Sequence, residues 1–541
     1  MRLKSLYPDT PLMVLSPLAE GADRLAAKVV ISPEIDARLV VPMPMRREHY
    51  ERDFVTADSR DEFAALLASA ATTIELGTPN DAEPIDSATR KVCYRAVGQF
   101  VAENSHLLIA LWDGQRGLTG GTAEVVELKL TGRWPGAESE ETIARGPVFH
   151  VLTPRERDDV KAAEIATTEL YPEREDCESN EARAFYHSRI FKPLNDYNRD
   201  VANEQSSASA MIEASASDLA PDIARTSDVE PHPGFAAIRR HYAAADELAA
   251  HFRNYTVQTL FWLSVVAFGA ALCFDVAVHL LLPTMTTAKS ILMFGTPILT
   301  VVAVMIHSRA RQAAWQDKYQ DYRVLAEGLR VQFFWRVAGV NETVANHYMG
   351  RHRWALEWIR AACRSSIAAS GWPLQQQDAT DSDYVRTNWI ESQAAYFERA
   401  AERQDRKLTR FRRRIGICFW IGAALIVSLA TVTGLKSFVD LGPLDTFTRE
   451  SFPLGVALFL ITMTAVFAAL THNYVETLAL EPQVRMYQRM RRIYRQHLGR
   501  CANLHGQQYA EAMIALGREA LTENGDWLLT HRERPLEVPH H

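Results

Sequence analysis

Four stretches of this chain carry no charged residue over a length that only a bilayer or a deep protein core can house. They are residues 256–274 (TVQTLFWLSVVAFGAALCF), 290–306 (SILMFGTPILTVVAVMI), 415–435 (IGICFWIGAALIVSLATVTGL) and 452–470 (FPLGVALFLITMTAVFAAL). A helix of about 20 apolar residues crosses the hydrocarbon layer. Helices of a soluble core are usually shorter and keep a polar stripe, whereas these windows are apolar all round. They predict four transmembrane helices, grouped as two hairpins. The averages conceal this: 23% of the 541 residues are charged, and the mean hydropathy is −0.15.

Lysine and arginine placement gives an orientation. Arg403, Arg406, Lys407, Arg410, Arg412, Arg413 and Arg414 precede the third window, and Arg309 and Arg311 follow the second. The intervening loops carry only Lys289, and Lys436 with Arg449. Both termini and the central segment are therefore expected in the cytoplasm, with a multi-pass protein in the inner (plasma) membrane. Met1 opens a polar stretch without a secretory signal pattern, in keeping with that side. A net charge of −7 leaves no nucleic-acid footprint over the chain as a whole. The six cysteines show no metal-ligand spacing, so no metal or other cofactor is expected.

Phe261-Trp262 and Phe419-Trp420 stand at equivalent places in the first and third windows. Aromatic residues then follow each hairpin at helical spacing, from Trp315 to Phe334 and from Tyr474 to Tyr494. This suggests two copies of one unit, each a leading helix, two spans and a trailing helix. Asp275 and His279 share a helical face beyond the first window, as a pore mouth or as a helix end emerging among headgroups.

The N-terminal part reads differently. Apolar runs at 12–15, 39–41, 107–112 and 147–152 alternate with helical stretches. This predicts an α/β fold with a parallel sheet covered on both faces. Ligands of such sheets bind beyond the carboxyl ends of the strands, and two turns fit that place. In the first, Gly21 admits close backbone approach, the following helix start offers free N–H groups, and Arg24 can grip phosphate. In the second, Gly120, Gly121, Thr122 and Glu124 open another helix. Both also fit ordinary punctuation, with Asp23 and Arg24 as a surface ion pair.

SPLAEGADRLAA (residues 16–27), LWDG (111–114) and GGTAEVV (120–126), in that order, resemble the SLOG superfamily of Rossmann-like domains, which includes LOG-type nucleotide phosphoribohydrolases. YRVLAEGLRVQFFW (322–335), just after a hairpin, resembles the two-span SLATT domains. The resemblance implies a SLOG-like domain over residues 1–157, its first strand missing, then a helical extension at 158–203 and a flexible linker at 204–234. SLATT-like units would cover 235–371 and 384–530. It also implies a ligand site formed by Ser16, Gly21, Ala22, Asp23, Arg24, Asp113, Gly114, Gly120, Gly121, Thr122 and Glu124. The implied function is a bacterial anti-phage or conflict effector. Its cytoplasmic domain senses a nucleotide-derived small molecule, and a homo-oligomer of the hairpins forms a pore in, or disrupts, the lipid bilayer. The alternatives are a membrane-tethered nucleotide N-glycosidic hydrolase using Glu124, and a transporter or structural membrane protein.

Overall fold

The computed structural model describes residues 1–77, 86–115, 121–135, 144–153, 166–173, 179–219, 233–348, 356–370, 382–435, 438, 452–501 and 504–534. The chain is mostly helical, with a small parallel sheet near its start, and it divides into two compact units.

The first unit comprises Met1–Glu247, Val324–Val385 and Leu504–Thr522. Its strands β1 (Met13–Leu15), β2 (Arg38–Met43) and β3 (Thr72–Glu75) form a parallel sheet in the order β1-β2-β3. β2 reads RLVVPM and is buried at every position but the first, as a strand covered on both faces must be. Its side chains alternate accordingly. Leu39, Val41 and Met43 enter a cluster with Leu18, Tyr50, Phe54 and Phe63, while Val40 packs on the other face with Ile74 and Phe100. The strand expected to stop at Pro42 runs through it. Pairing with β1 has already ended at Leu15 opposite Val40, so the absent proline N–H costs no bond on that side.

The single sheet expected from sequence is two three-stranded sheets. β4 (Leu108–Trp112) pairs in parallel with β5 (Val148–Leu152), and β6 (Thr167–Leu170) closes β5's far edge in antiparallel register. Pairing that edge removes the exposed ladder a lone strand would present. Two of the intervening helices, Ala57–Ala68 and Ser87–Asn104, are capped by side chains: Thr56 accepts from Ser59 N–H at 3.1 Å, and Asp86 from Thr89 N–H at 2.7 Å. The buried Lys129 ammonium, pushed down to about 7 by desolvation, donates to Ala102 O at the end of helix Ser87–Asn104.

The segment expected as a flexible linker is helical over its first half. The helix Lys192–Leu219 runs into it, because the alanine that accompanies its serines favours helix. Residues 220–232 of that segment lie outside the described residues, as do Gly120, Lys436, Arg449 and most of the break expected at 372–383. In YRVLAEGLRVQFFW the aromatic side chains are core. Phe333, Phe334 and Trp335 are fully buried, and Trp335 Nε1 donates to Met513 O at 3.0 Å. Gly517 lies flat against that indole, leaving no room for a Cβ.

The second unit comprises Leu248–Arg323, Arg386–Asn503 and Glu523–His541. Four long helices carry the apolar windows: Pro233–Asp275, Thr286–Gln312, Ser392–Leu435 and Phe452–Thr477. Lys289 falls in the first turn of the second helix rather than in a loop. The shares of the four windows buried within the protein are 11%, 0%, 0% and 6%. A soluble core would bury them, so these helices mark the chain as a membrane protein. Phe261, Trp262, Phe419 and Trp420 are all more than half exposed on this surface.

Small residues sit where the apolar helices meet. A Cβ on Gly269 would touch Leu299, one on Gly295 would touch Cys273 Sγ, and one on Gly422 would press on Thr464 Oγ1. After the second and fourth apolar helices the chain turns through a left-handed alanine, Ala314 at φ +51° and Ala479 at φ +49°. Helices Trp315–Val337 and Leu480–Cys501 follow at once. The second trailing helix thus starts after Tyr474, which still belongs to the fourth apolar helix.

Candidate functional site

The turn from Ser16 to Arg24 leaves the carboxyl end of β1 and enters helix Ala22–Val30. Its backbone is strained. Leu18 has φ +59° and is fully buried, and Gly21, the residue before the helix, has φ +91°. A non-glycine residue in the left-handed region costs about 1–2 kcal/mol and persists only where neighbours hold it. Here they do. Ser16 Oγ accepts from Leu18 N–H at 3.3 Å and donates to Asp23 O at 3.1 Å. Arg24 Nε donates to Leu18 O at 3.0 Å, and Tyr50 Oη donates to Pro17 O at 3.1 Å.

Arg24, expected at a phosphate or in a surface pair, is only 2% exposed. Its Nη1 donates to Ser59 O and Ser59 Oγ, each at 2.8 Å, and to Glu62 Oε2 at 2.9 Å. The guanidinium lies 4.4 Å from the centroid of Phe54. Most of its donor capacity is therefore spent on the protein. Nη2 alone is buried without a hydrogen-bond partner among the described residues. Glu62 also pairs with Lys28, and these two cations hold its carboxyl below the usual range, Lys28 foremost. Asp23 is no surface partner of Arg24. Burial pushes its carboxyl up to about 6, against a hydrogen bond from the Ala19 backbone. Ala22 begins the helix beside it.

The second turn leaves the carboxyl end of β4. Asp113 Oδ1 accepts from Gln115 N–H at 3.0 Å, Trp112 Nε1 donates to Gln115 O at 2.7 Å, and Gly114 takes φ +79°. Gly121 stands at the head of helix Thr122–Thr131, with Glu124 in its first turn. The two turns leave strands of different sheets.

The sequence reading overlooked the residues beyond β2. Tyr50, which holds Pro17, packs edge-on against Phe54 and Phe63. Asp53 accepts from Tyr94 Oη at 2.6 Å and pairs with Arg90. Burial raises the Tyr94 phenol above its ordinary value, and the bond to Asp53 raises it further. The available signal was RREHYERDF (46–54) directly after Met43-Pro44-Met45, where β2 ends at Met43, an abrupt change from apolar to charged. Ser16, Arg24, Tyr50, Ser59 and Glu62 thus form one polar frame at the strand ends, with Asp53, Arg90 and Tyr94 around Tyr50.

Comparisons with protein-family models, curated proteins and solved structures find no match for this chain.

Proposed function

We propose that the chain is a membrane effector whose SLOG-like, Rossmann-like N-terminal part senses a nucleotide-derived ligand and whose two SLATT-like hairpins, assembled as a homo-oligomer, breach the bilayer. The observation that carries this reading is a strained, side-chain-locked turn at the carboxyl end of a parallel strand in the same chain as four lipid-exposed helices. One span would suffice for an anchor. Four spans per chain are too few to enclose a wide aqueous channel, which requires several copies. The basic residues flanking the spans favour cytoplasmic termini in an inner membrane, and the role in anti-phage or conflict defence follows from the sequence resemblance.

The test is dye release from liposomes containing the full chain, with a panel of nucleoside mono- and diphosphates and their ribosylated forms. Release that depends on one of these and saturates is expected. Sealed liposomes across a panel that includes a ligand shown to bind would overturn the pore. A second reading, nucleotide N-glycosidic hydrolysis, is favoured by Glu124 in the first turn of a glycine-headed helix. It requires free base to appear from nucleoside monophosphates, and to stop appearing in Glu124→Gln.

A further inference from the structure

The third apolar helix carries its own cationic cavity. Arg403, Arg406, Lys407, Arg410, Phe411 and Arg414 line a space of about 490 Å3 on one face of helix Ser392–Leu435. The spacing of three and four residues repeats through more than two turns, so the basic side chains project together. The chain as a whole is acidic, at net −7, and this stripe is therefore a local concentration.

Neighbouring arginines show what the protein does when a cation serves to clamp helices. Arg412 meets Glu481 at 2.6 Å, and Arg495 meets Glu398 at 2.8 Å. The cavity is treated otherwise. Among the described residues no carboxylate pairs with Arg403, Lys407, Arg410 or Arg414, and Arg406 has only an exposed contact of 3.6 Å with Glu402. Lys407 is half-buried, 6.0 Å from the Tyr474 ring centroid, with Arg253 adding a further cation nearby. Burial, and then Arg253, push its ammonium below the ordinary value. Arg403, Arg406, Arg410 and Arg414 are exposed around the half-buried Lys407, and like charges three and four residues apart on one helix face repel unless an anion sits between them.

Position names the anion. Arg414 directly precedes the uncharged window that starts at Ile415. At 1.5 Å per residue, Arg410 and Lys407 stand about 8 Å and 12 Å along the helix from Ile415, where the hydrocarbon layer begins. The headgroup layer occupies roughly 5–8 Å on each side, so Arg414 and Arg410 fall within it and Lys407 lies just outside it, with side chains that lean toward the helix start. We infer that this cavity binds the phosphate of an anionic phospholipid headgroup, with Phe411 against the glycerol and acyl root. The inference is independent of what the N-terminal part senses.

The test uses the full chain in neutral maltoside micelles, with cardiolipin or phosphatidylcholine added and retention read by native mass spectrometry. Inorganic pyrophosphate, without lipid, serves as the soluble phosphate probe. Cardiolipin should be retained over phosphatidylcholine. The Lys407→Gln/Arg410→Gln/Arg414→Gln variant should weaken that retention about tenfold or more, while Lys289→Gln/Arg309→Gln/Arg311→Gln, with the same charge change, leaves it within twofold. Arg410→Gln alone, at an exposed position, repeats the test should the triple variant not fold, with a smaller loss in the same direction. Equal loss in both triple variants would reduce the effect to general charge and overturn the site, as would unchanged retention in the cavity variant. Pyrophosphate binding that the cavity variant abolishes and cardiolipin does not displace would assign the cavity to a soluble anion and overturn the lipid.

Discussion

Replacing Arg24 by alanine separates two roles for the residue that the SLOG resemblance puts at a ligand. Arg24 Nε holds the carbonyl of Leu18, a fully buried residue in the left-handed region. Cutting that bond strands a buried acceptor, at about 1–3 kcal/mol, and releases a backbone strained by about 1–2 kcal/mol. Loss of the stack on Phe54 adds about 0.5–2 kcal/mol. The pair with Glu62 adds little, since that carboxylate is 35% exposed and rehydrates. The released strain offsets part of the cost, leaving a net loss of about 1–3 kcal/mol. At about 2–4 °C per kcal/mol for a unit of this kind, the full chain in mild detergent should melt roughly 2–12 °C lower. Arg24→Lys should recover less than half, because an ammonium cannot reach Leu18 and Ser59 together. An Arg24→Ala protein that melts within about 1 °C of the parent but no longer binds a nucleotide the parent binds would refute the structural tie and make Arg24 a ligand group.

His531, buried with Nδ1 donating to Trp527 O at 2.8 Å and Nε2 accepting from Gln483 at 2.8 Å, has its pKa pushed down to about 4. An unfolded histidine titrates near 6.5, so the stability this site contributes is present above that pH and is lost as pH falls from about 6.5 to about 4; acid melting curves should flatten in this window in His531→Gln, and an unchanged slope would count against the buried neutral imidazole. Gly517→Ala should destabilise by about 1–3 kcal/mol, because its methyl meets the Trp335 indole, and Trp335→Phe in the same chain should return part of the loss; additive losses in the double variant would contradict that contact. Ala314→Gly and Ala479→Gly should each stabilise by about 0.5–1 kcal/mol despite glycine's greater freedom when unfolded, a sign that thermal melting reads directly.

The membrane helices were legible because lack of charge over a bilayer's width is a local property of the chain. The strands at 12–15, 39–41, 107–112 and 147–152 were legible to within a few residues for the same reason. β3 and β6, with sequences TTIE and TTEL, were not: they are short and largely polar, and pairing with β2 and β5 makes them strands. The role of Arg24 depends on Ser59 and Glu62, more than 30 residues away, and no spacing rule brings them to it. The helical first half of the 204–234 segment was not legible because its serines fit a linker as readily as its alanines fit a helix.

The two left-handed alanines have a mechanical consequence. The left-handed well is small for a residue with a Cβ, and its walls are steep. Ala314 and Ala479 are therefore brackets of set angle rather than swivels, each welded between a lipid-facing rod and the rod that follows it. A twist applied to either trailing rod is passed to its neighbour instead of being absorbed at the corner. Glycine at these corners relieves the local strain but turns a bracket into a loose joint.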